Sequence, residues 1–424
     1  MKILIKNARL IDYLTDFDDV TDIYIQDGII KEIGTELEDI ADEVIDCTGL
    51  CVIPGMVDMH CHLREPGYEY KENIESGINS AAAGGFTSIA CMPNTNPVID
   101  NQAIAMFIKE KAKSIGKVNV FPIGCITKGQ NGQELAEIAD MKQAGVVAIS
   151  DDGKPVTNPL LMRRALQYAK MFELSVISHC EDKELVDEGV MNEGYVSTIL
   201  GLKGIPREAE EVMVARDVIL AENNDCHVHI AHISTKGSVE IVRNAKKRNV
   251  KVTAETCPHY FSLTDEAVTG FITAAKVNPP LRTEEDLEAI KKGLADGTID
   301  VIATDHAPHH IDDKNVEFNS AAFGISGFET ALSLCVTNLL QTKVLTYKQL
   351  AEKICYNPSK ILGLNRGTIS IGSPADITIF APNDEIIVDA EKFISKGKNT
   401  PFDGHKLYGK VCYTIVDGKI VCNS

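Results

Sequence analysis

Two histidines one residue apart, His60 and His62, close an apolar run in the stretch GMVDMHCHLREPG, and Arg64 follows two positions later. In an extended chain, residues two apart share a face, so both imidazoles and the guanidinium are aimed at one place. Paired imidazoles bind a divalent metal, and a guanidinium forks onto a carboxylate. More ligand-type residues stand at the ends of other apolar runs: Asp151-Asp152 after VVAIS, His179 closing LSVISH, His232 closing CHVHIAH and Asp305 closing DVIATD. A single histidine in such a run is usually a hydrogen-bonded core residue. Four histidines and two aspartates on successive strand ends are far better explained by a metal centre. Six ligands exceed what one tetrahedral zinc with an open position takes. They suit two metals about 3.5–4 Å apart, machinery for hydrolysing an amide or closing one. Asp58 shares the parity of the two histidines and is expected to orient one of them. His227 and His229 lie at the other parity from His232 and read as structural, as do His259 and His405.

The elements that must carry these residues alternate. Strand-like runs rich in β-branched residues recur at 51–59, 87–92, 118–124, 146–150, 174–179, 226–232, 250–255 and 300–305, with almost no charge inside them. That pattern marks strands buried on both faces. Helix-like stretches lie between them, among them 101–116, 132–144, 158–172, 207–223, 236–248 and 283–296. Eight strands alternating with helices predict a (β/α)8 barrel, whose chemistry sits at the carboxyl ends of the strands. Both ends of the chain read differently, as short strands and hairpins, with Asp27-Gly28 and Asp417-Gly418 as turns between alternating apolar residues. Neither end alone can bury a core. The expectation is an α/β protein: a catalytic barrel over 54–366, inserted into one small β-sandwich formed by 1–53 and 367–424.

Bulk properties exclude several function classes. With 42 basic and 61 acidic residues, the 424-residue chain carries a net charge of −19, which repels nucleic acid and anionic lipid. An anionic substrate therefore needs a local cationic pocket. No apolar run approaches the roughly 18 residues of a membrane span, and the opening MKILIKNARLID alternates like a strand rather than a signal peptide. The twelve cysteines are scattered, without a C-x-x-C pair, and read as reduced thiols in a cytoplasmic protein. Cys61 faces away from its flanking histidines. The segment HAPHHIDDKN (306–315) is polar, with no apolar face to anchor it, and is expected to be a mobile lid.

The strings DMHCHLREPG, GGFTSIACMPNTNPV, SDDGKPV, AHIS, ETCPHY, NPPLR and IATDHAPH together resemble the amidohydrolase superfamily and, within it, the bacterial dihydroorotases. The likeness covers nearly the whole chain, and HLREPG with MPNTNP is its most specific part. The resemblance implies one to two zinc ions per chain, with His60, His62 and Asp305 on one and His179 and His232 on the other. Many relatives bridge the metals with a carboxylated lysine; here Asp152 stands at that position, Lys154 comes one turn too late, and Asp151 remains an alternative. The resemblance further places Arg64, Asn94 and His309 on the substrate carboxylate, and Asn278 with the backbone around Phe323 and Gly324 on the ring amides. His62 faces both metal and substrate. The implied reaction is the reversible cyclisation of N-carbamoyl-L-aspartate to L-dihydroorotate in de novo pyrimidine (UMP) biosynthesis, by a metal-bridging hydroxide with Asp305 as general acid and base. A homodimer and an association with aspartate carbamoyltransferase stay open. Hydantoinase-like, dihydropyrimidinase-like and allantoinase-like activities are the alternatives, and Arg64 argues against the first two, whose rings carry no carboxylate. A catalytically silent homologue scaffolding a carbamoyltransferase is expected to have lost ligands, and none is lost.

Overall fold

The computed structural model describes residues 1–38 and 40–423. Eight short parallel strands carry the middle of the chain. Met56–Cys61, Phe86–Cys91 and Asn119–Pro122 pair in that order. Ala148–Ser150, Ser175–Ser178, Val228–Ile230, Val252–Thr256 and Val301–Ile302 form a second parallel ladder, again in chain order. Parallel bridges join the two ladders at both edges, Gly124 with Ile149 and Cys61 with His306. Nearly every residue of these strands is buried, as uninterrupted apolar runs require when helices cover the outer face. The covering helices include Gln102–Ile115, Pro159–Lys170, Glu208–Asn224, Lys236–Lys247 and Glu284–Ala295. Asn101, Asn158 and Thr235 cap three of these, each accepting from backbone N–H groups of the first turn. The helix expected over 132–144 is shorter, Ile138–Gln143, because the Asn131-Gly132 turn delays its start.

The apolar run 51–59 is not one strand. Cys51–Pro54 belongs to the sheet built from the chain ends, and Met56–Cys61 begins the parallel set. Gly55 sits at the junction, and a Cβ there would meet Thr87 Oγ1 at 2.1 Å, so no larger residue fits.

Both ends of the chain enter one hydrogen-bonded sheet of eight strands. Its order is Lys419–Asn423, Lys406–Val416, Ile377–Ile387, Cys51–Pro54, Lys2–Asp12, Phe17–Gln26 and Ile29–Gly34, with Glu43–Asp46 pairing onto Lys2–Asp12. Strands far apart in this order share one core: Ile23, Ile25 and Ile30 pack in the same cluster as Ile377, Ile379 and Ile415. The sheet therefore folds over on itself. The Asp27-Gly28 and Asp417-Gly418 turns are present, each residue at positive φ, as a two-residue hairpin of this type requires. Among the described residues, no helix is long and apolar enough to cross a membrane. Among the described residues no disulfide is formed, and ten of the twelve cysteines are buried, as their placement in apolar runs implied.

Candidate active site

All six ligand-type residues converge at the carboxyl ends of the parallel strands, every one of them buried. Asp152 is central: its Oδ1 lies 3.5 Å from His60 Nε2, 3.4 Å from His179 Nδ1 and 3.6 Å from His232 Nε2. Its Oδ2 is 3.5 Å from His62 Nε2. Asp305 Oδ1 lies 3.1 Å from His62 Nε2 and 3.5 Å from His60 Nε2. Three of these residues or their neighbours leave the strands through a left-handed backbone, Arg64 at φ 62°, His232 at φ 31° and Asp305 at φ 45°. Non-glycine residues there carry about 1–3 kcal/mol of strain each, a feature that concentrates at functional sites.

Asp151 and Asp152 face opposite ways. Asp151 accepts from Ile126 N at 2.8 Å, Thr127 N at 3.1 Å and the Thr127 hydroxyl, which ties it to a neighbouring loop. Lys154 is exposed, away from the histidines.

Asp58 does not orient a histidine ring. Its carboxylate accepts from Thr304 N at 2.8 Å and Thr304 Oγ1 at 2.7 Å, clamping the first strand to the last. The ring of His60 is instead held by Glu255, whose Oε1 lies 2.6 Å from His60 Nδ1 while Oε2 lies 3.2 Å from His229 Nε2. His229 is thus structural, one bond removed from the cluster. His227 pairs with Thr253 Oγ1 at 2.9 Å and Ser175 Oγ at 3.3 Å, and His405 is exposed. Glu255 closes the run VKVTAE, so its strand-end position was a signal. Glu181 is a second carboxylate outside the expected set, 3.5 Å from His179 Nε2.

The donor set fits metal. His60 Nε2, Asp152 Oδ1 and His179 Nε2 are buried without a hydrogen-bond partner, an arrangement that buried polar atoms avoid unless something else satisfies them. His60, His62 and Asp305 bring ligand atoms within 4.8 Å of one another, as do His60, Asp152 and His232. Burial disfavours a charged His60, yet the carboxylates of Glu255, Asp152 and Asp305 outweigh it and hold the ring's pKa well above the usual histidine range. Burial likewise opposes the charge on Asp152, and His60, His179 and His232 hold it well below the usual carboxylate range. The pocket is built for positive charge. Cys257 and His259 also approach Asp305, but burial holds the Cys257 thiol protonated.

A cavity of about 220 Å³ opens over the cluster, lined by Arg64, Asn94, Asn278, Phe323 and Gly324 as well as His62 and Asp305. Arg64 makes no ion pair with Glu65, which instead binds Lys111. Its Nε donates to Pro308 O at 3.1 Å. The ring of His309 lies beside it: Lys71 Nζ, which can only donate, is 3.2 Å from Nδ1, so the proton sits on Nε2 and goes to Phe323 O at 2.8 Å. Arg64 Nη2 is 3.2 Å from that same Nε2. Among the described residues, Arg64 thus keeps a guanidinium edge without a carboxylate partner at the cavity wall, with His309 packed beside it. Burial, with Arg64 and Lys71 adjacent, pushes the His309 pKa down to about 2, so the ring is neutral. Asn94 Oδ1 lies 2.9 Å from His62 Nδ1 and its Nδ2 is 3.4 Å from Asp152 Oδ2, which aims its amide at the cluster. Asn278 Nδ2 donates to Glu181 Oε1 at 2.8 Å, leaving its carbonyl to accept.

Residues 306–315 are anchored, by polar contacts that an apolar pattern does not reveal. His309 N donates to Asn399 Oδ1 at 2.9 Å, Ala307 N to Ile325 O at 2.8 Å, and Lys314 is 4% exposed. His310–Asp313 and Asn315 reach the surface, Ile311, Asp312 and Asn315 most of all.

Comparison with known proteins agrees with this geometry. Residues 49–238 match the family described as dihydro-orotase-like. The chain is 61% identical over 418 residues to the dihydroorotase of Ruminiclostridium cellulolyticum, covering 99% of this chain and 98% of that protein. It is 59% identical to that of Geotalea daltonii, with 99% of each chain covered. Among solved structures, the L-hydantoinase of Arthrobacter aurescens superposes with a TM-score of 0.89 at 26% identity, over 99% of this chain and 96% of that one. A dihydropyrimidinase from Brevibacillus agri shares the fold at 23% identity, with a TM-score of 0.87 over 100% and 95% of the two chains. With a shared fold and full-length identity of this order, the chain belongs to the dihydroorotases of the amidohydrolase superfamily.

Proposed function

We propose that this cavity interconverts N-carbamoyl-L-aspartate and L-dihydroorotate, as the zinc-dependent step of de novo pyrimidine synthesis, with His60, His62, Asp152, His179, His232 and Asp305 holding one to two zinc ions. The observation that carries this reading is the juxtaposition in one cavity of Arg64, with His309 beside it, and five of the six buried ligand-type residues, His60 lying just behind them. The dihydroorotate ring bears a carboxylate for the first and an amide for the second; hydantoin and dihydrouracil lack the carboxylate. When bound, zinc supplies Lewis acidity, activating a water and polarising the amide carbonyl.

The chain's own residues do the rest. Arg64 is held in plane by Pro308 O, so its outer edge is presented to the substrate carboxylate, and His309 joins it by turning its Nε2–H away from Phe323 O. The free carbonyl of Asn278 accepts from a ring N–H, its amide fixed by Glu181. Phe323 and Gly324 close the cavity wall over the ring. Asp305, 3.1 Å from His62 Nε2, takes the proton of the attacking water and delivers it to the leaving ring nitrogen. In ring closure it accepts the proton of the ureido nitrogen. Asn94 and Glu255 fix the tautomers of His62 and His60, leaving each Nε2 for metal.

The two bridged parallel ladders support a closed (β/α)8 barrel over 54–366, and the folded-over terminal sheet supports a β-sandwich of 1–53 with 367–424 around it. Two measurements test the functional reading together. Unchelated protein is expected to contain one to two zinc ions per chain by elemental analysis. It is expected to open dihydroorotate, followed by absorbance of the ring amide, and to turn over dihydrouracil far more slowly. Full activity in metal-free protein, or a preference for the uncharged ring, overturns it.

A further inference from the structure

Lys314 is a buried lysine that the reaction does not use. It ends the short helix Ile311–Lys314 and is 4% exposed. Its ammonium donates to three backbone carbonyls, Ala322 at 2.7 Å, Gly324 at 3.1 Å and Lys276 at 3.2 Å. Among the described residues no carboxylate forms an ion pair with it, although the charge of Asp313, its neighbour in sequence, acts on it from a distance. A buried ammonium without an ion pair is an expensive way to fill space, and an apolar side chain of the same length is ordinarily the more stable choice. What the ammonium adds is geometry: three protons fix three carbonyls at once.

Those carbonyls belong to the two walls of the cavity. Ala322 and Gly324 flank Phe323, and Lys276 lies two residues before Asn278. The same knot includes Gly324 N, which donates to Lys276 O at 2.9 Å, and Asn399 Nδ2, which donates to Gly324 O at 2.9 Å. Gly324 is pressed in so tightly that a Cβ would meet Ala307 O at 2.5 Å. Lys276 braces the far side, donating to Phe318 O at 2.8 Å and lying over the Phe323 ring at 4.5 Å.

We propose that Lys314 is a positioning residue that sets the ring-holding wall of the active site, fixing Phe323-Gly324 against Asn278 so that the substrate ring meets a preformed surface. This rests on the reading above that Asn278 and the Phe323-Gly324 segment hold the ring. Without the ammonium the wall is no longer preorganised, and substrate binding has to supply its ordering. The effect falls on binding rather than on chemistry, because the ligand cluster and Asp305 are not touched.

Lys314→Met removes the charge and keeps an unbranched side chain one atom shorter. In the zinc-loaded enzyme, amide hydrogen exchange over 320–326 is expected to accelerate at least tenfold. KM for dihydroorotate is expected to rise about tenfold, with kcat within threefold and zinc content per chain unchanged. A general loss of structure would instead lower kcat and zinc content together, and that result overturns the positioning role. Unchanged exchange overturns the anchoring by Lys314, whatever the kinetics. Faster exchange with unchanged KM overturns the proposal differently, by showing that this wall does not hold the ring, which also removes that part of the functional reading. Lys276→Met, which frees Phe318 and leaves Lys314 in place, is expected to give the same split with a smaller KM change. Should Lys314→Met not fold, the wild-type enzyme still decides: Lys314 is expected to resist acetic anhydride under native conditions, and labelling as fast as exposed lysines overturns the anchor.

Discussion

Replacing Glu255 by glutamine is the sharpest probe of how the cluster is held. Glu255 is outside the lining of the site cavity and lies behind His60, fully buried. Its Oε1 accepts the Nδ1 proton of His60 at 2.6 Å, its Oε2 faces His229 Nε2 at 3.2 Å, and His232 N approaches Oε1 at 3.4 Å. Glutamine keeps the shape and one acceptor. It removes the charge that makes His60 Nε2 a stronger base, and it presents an N–H₂ to His229, which must then accept. Loss of such an outer carboxylate weakens metal affinity by about 10–100-fold, or about 1.4–2.7 kcal/mol. The assay is competition for zinc against a chromophoric chelator, with kcat measured at saturating zinc. The expected result is weaker zinc binding by one to two orders of magnitude, with most of kcat restored by excess metal. A folded Glu255→Gln protein that binds zinc as tightly as the wild type refutes the reasoning and leaves Glu255 a core buttress.

Three other outcomes are expected. Asp305→Asn loses at least 10²–10⁴ of turnover in both directions, because an amide cannot accept the proton; zinc content is measured alongside, and wild-type turnover removes the general-base role. Arg64→Lys weakens dihydroorotate binding by about 1.5–3 kcal/mol, one charge-assisted bond, but changes any activity on dihydrouracil much less; equal losses on both rings make Arg64 structural. His227 is pushed by burial, with the neighbouring His229, down to about 4 from its usual 6.5, so the unfolded chain binds the extra proton between those values. The folded state should therefore lose roughly 2–3 kcal/mol as pH falls through that window, and denaturant titrations of His227→Gln should show a shallower acid limb.

The clustered residues were legible because strand ends punctuate the sequence: each of His60, His62, His179, His232 and Asp305 terminates an apolar run, and period-two parity pairs the first two. Parity also sets His229, which faces Glu255, apart from His232, which faces Asp152. Adjacent Asp151 and Asp152 could not be separated, since a two-residue strand exit allows either to face inward. The structure decides it through the Thr127 loop that captures Asp151. Asp58 read as the orienting carboxylate because it is close in sequence, whereas Glu255 is 195 positions from His60 and adjacent only across the strands. The segment 306–315 looked unanchored for a related reason: its anchors are backbone carbonyls and Asn399, which carry no hydrophobic periodicity. The run 51–59 looked like one strand because Gly55 interrupts neither hydropathy nor length, only direction.

That interruption at Gly55 ties the active site to the order of synthesis. Cys51–Pro54 pairs with residues 51–54's distant neighbours, the strand Ile377–Ile387, and one residue later the chain begins the strand that presents His60 and His62. A ribosome has therefore made more than three hundred and twenty further residues before Cys51–Pro54, the strand that leads into the site, gains its outer partner. Asp305, too, arrives long after His60. A nascent chain exposes scattered imidazoles but no assembled cluster, so completion of the His–Asp cluster and of the terminal sheet both come late in synthesis.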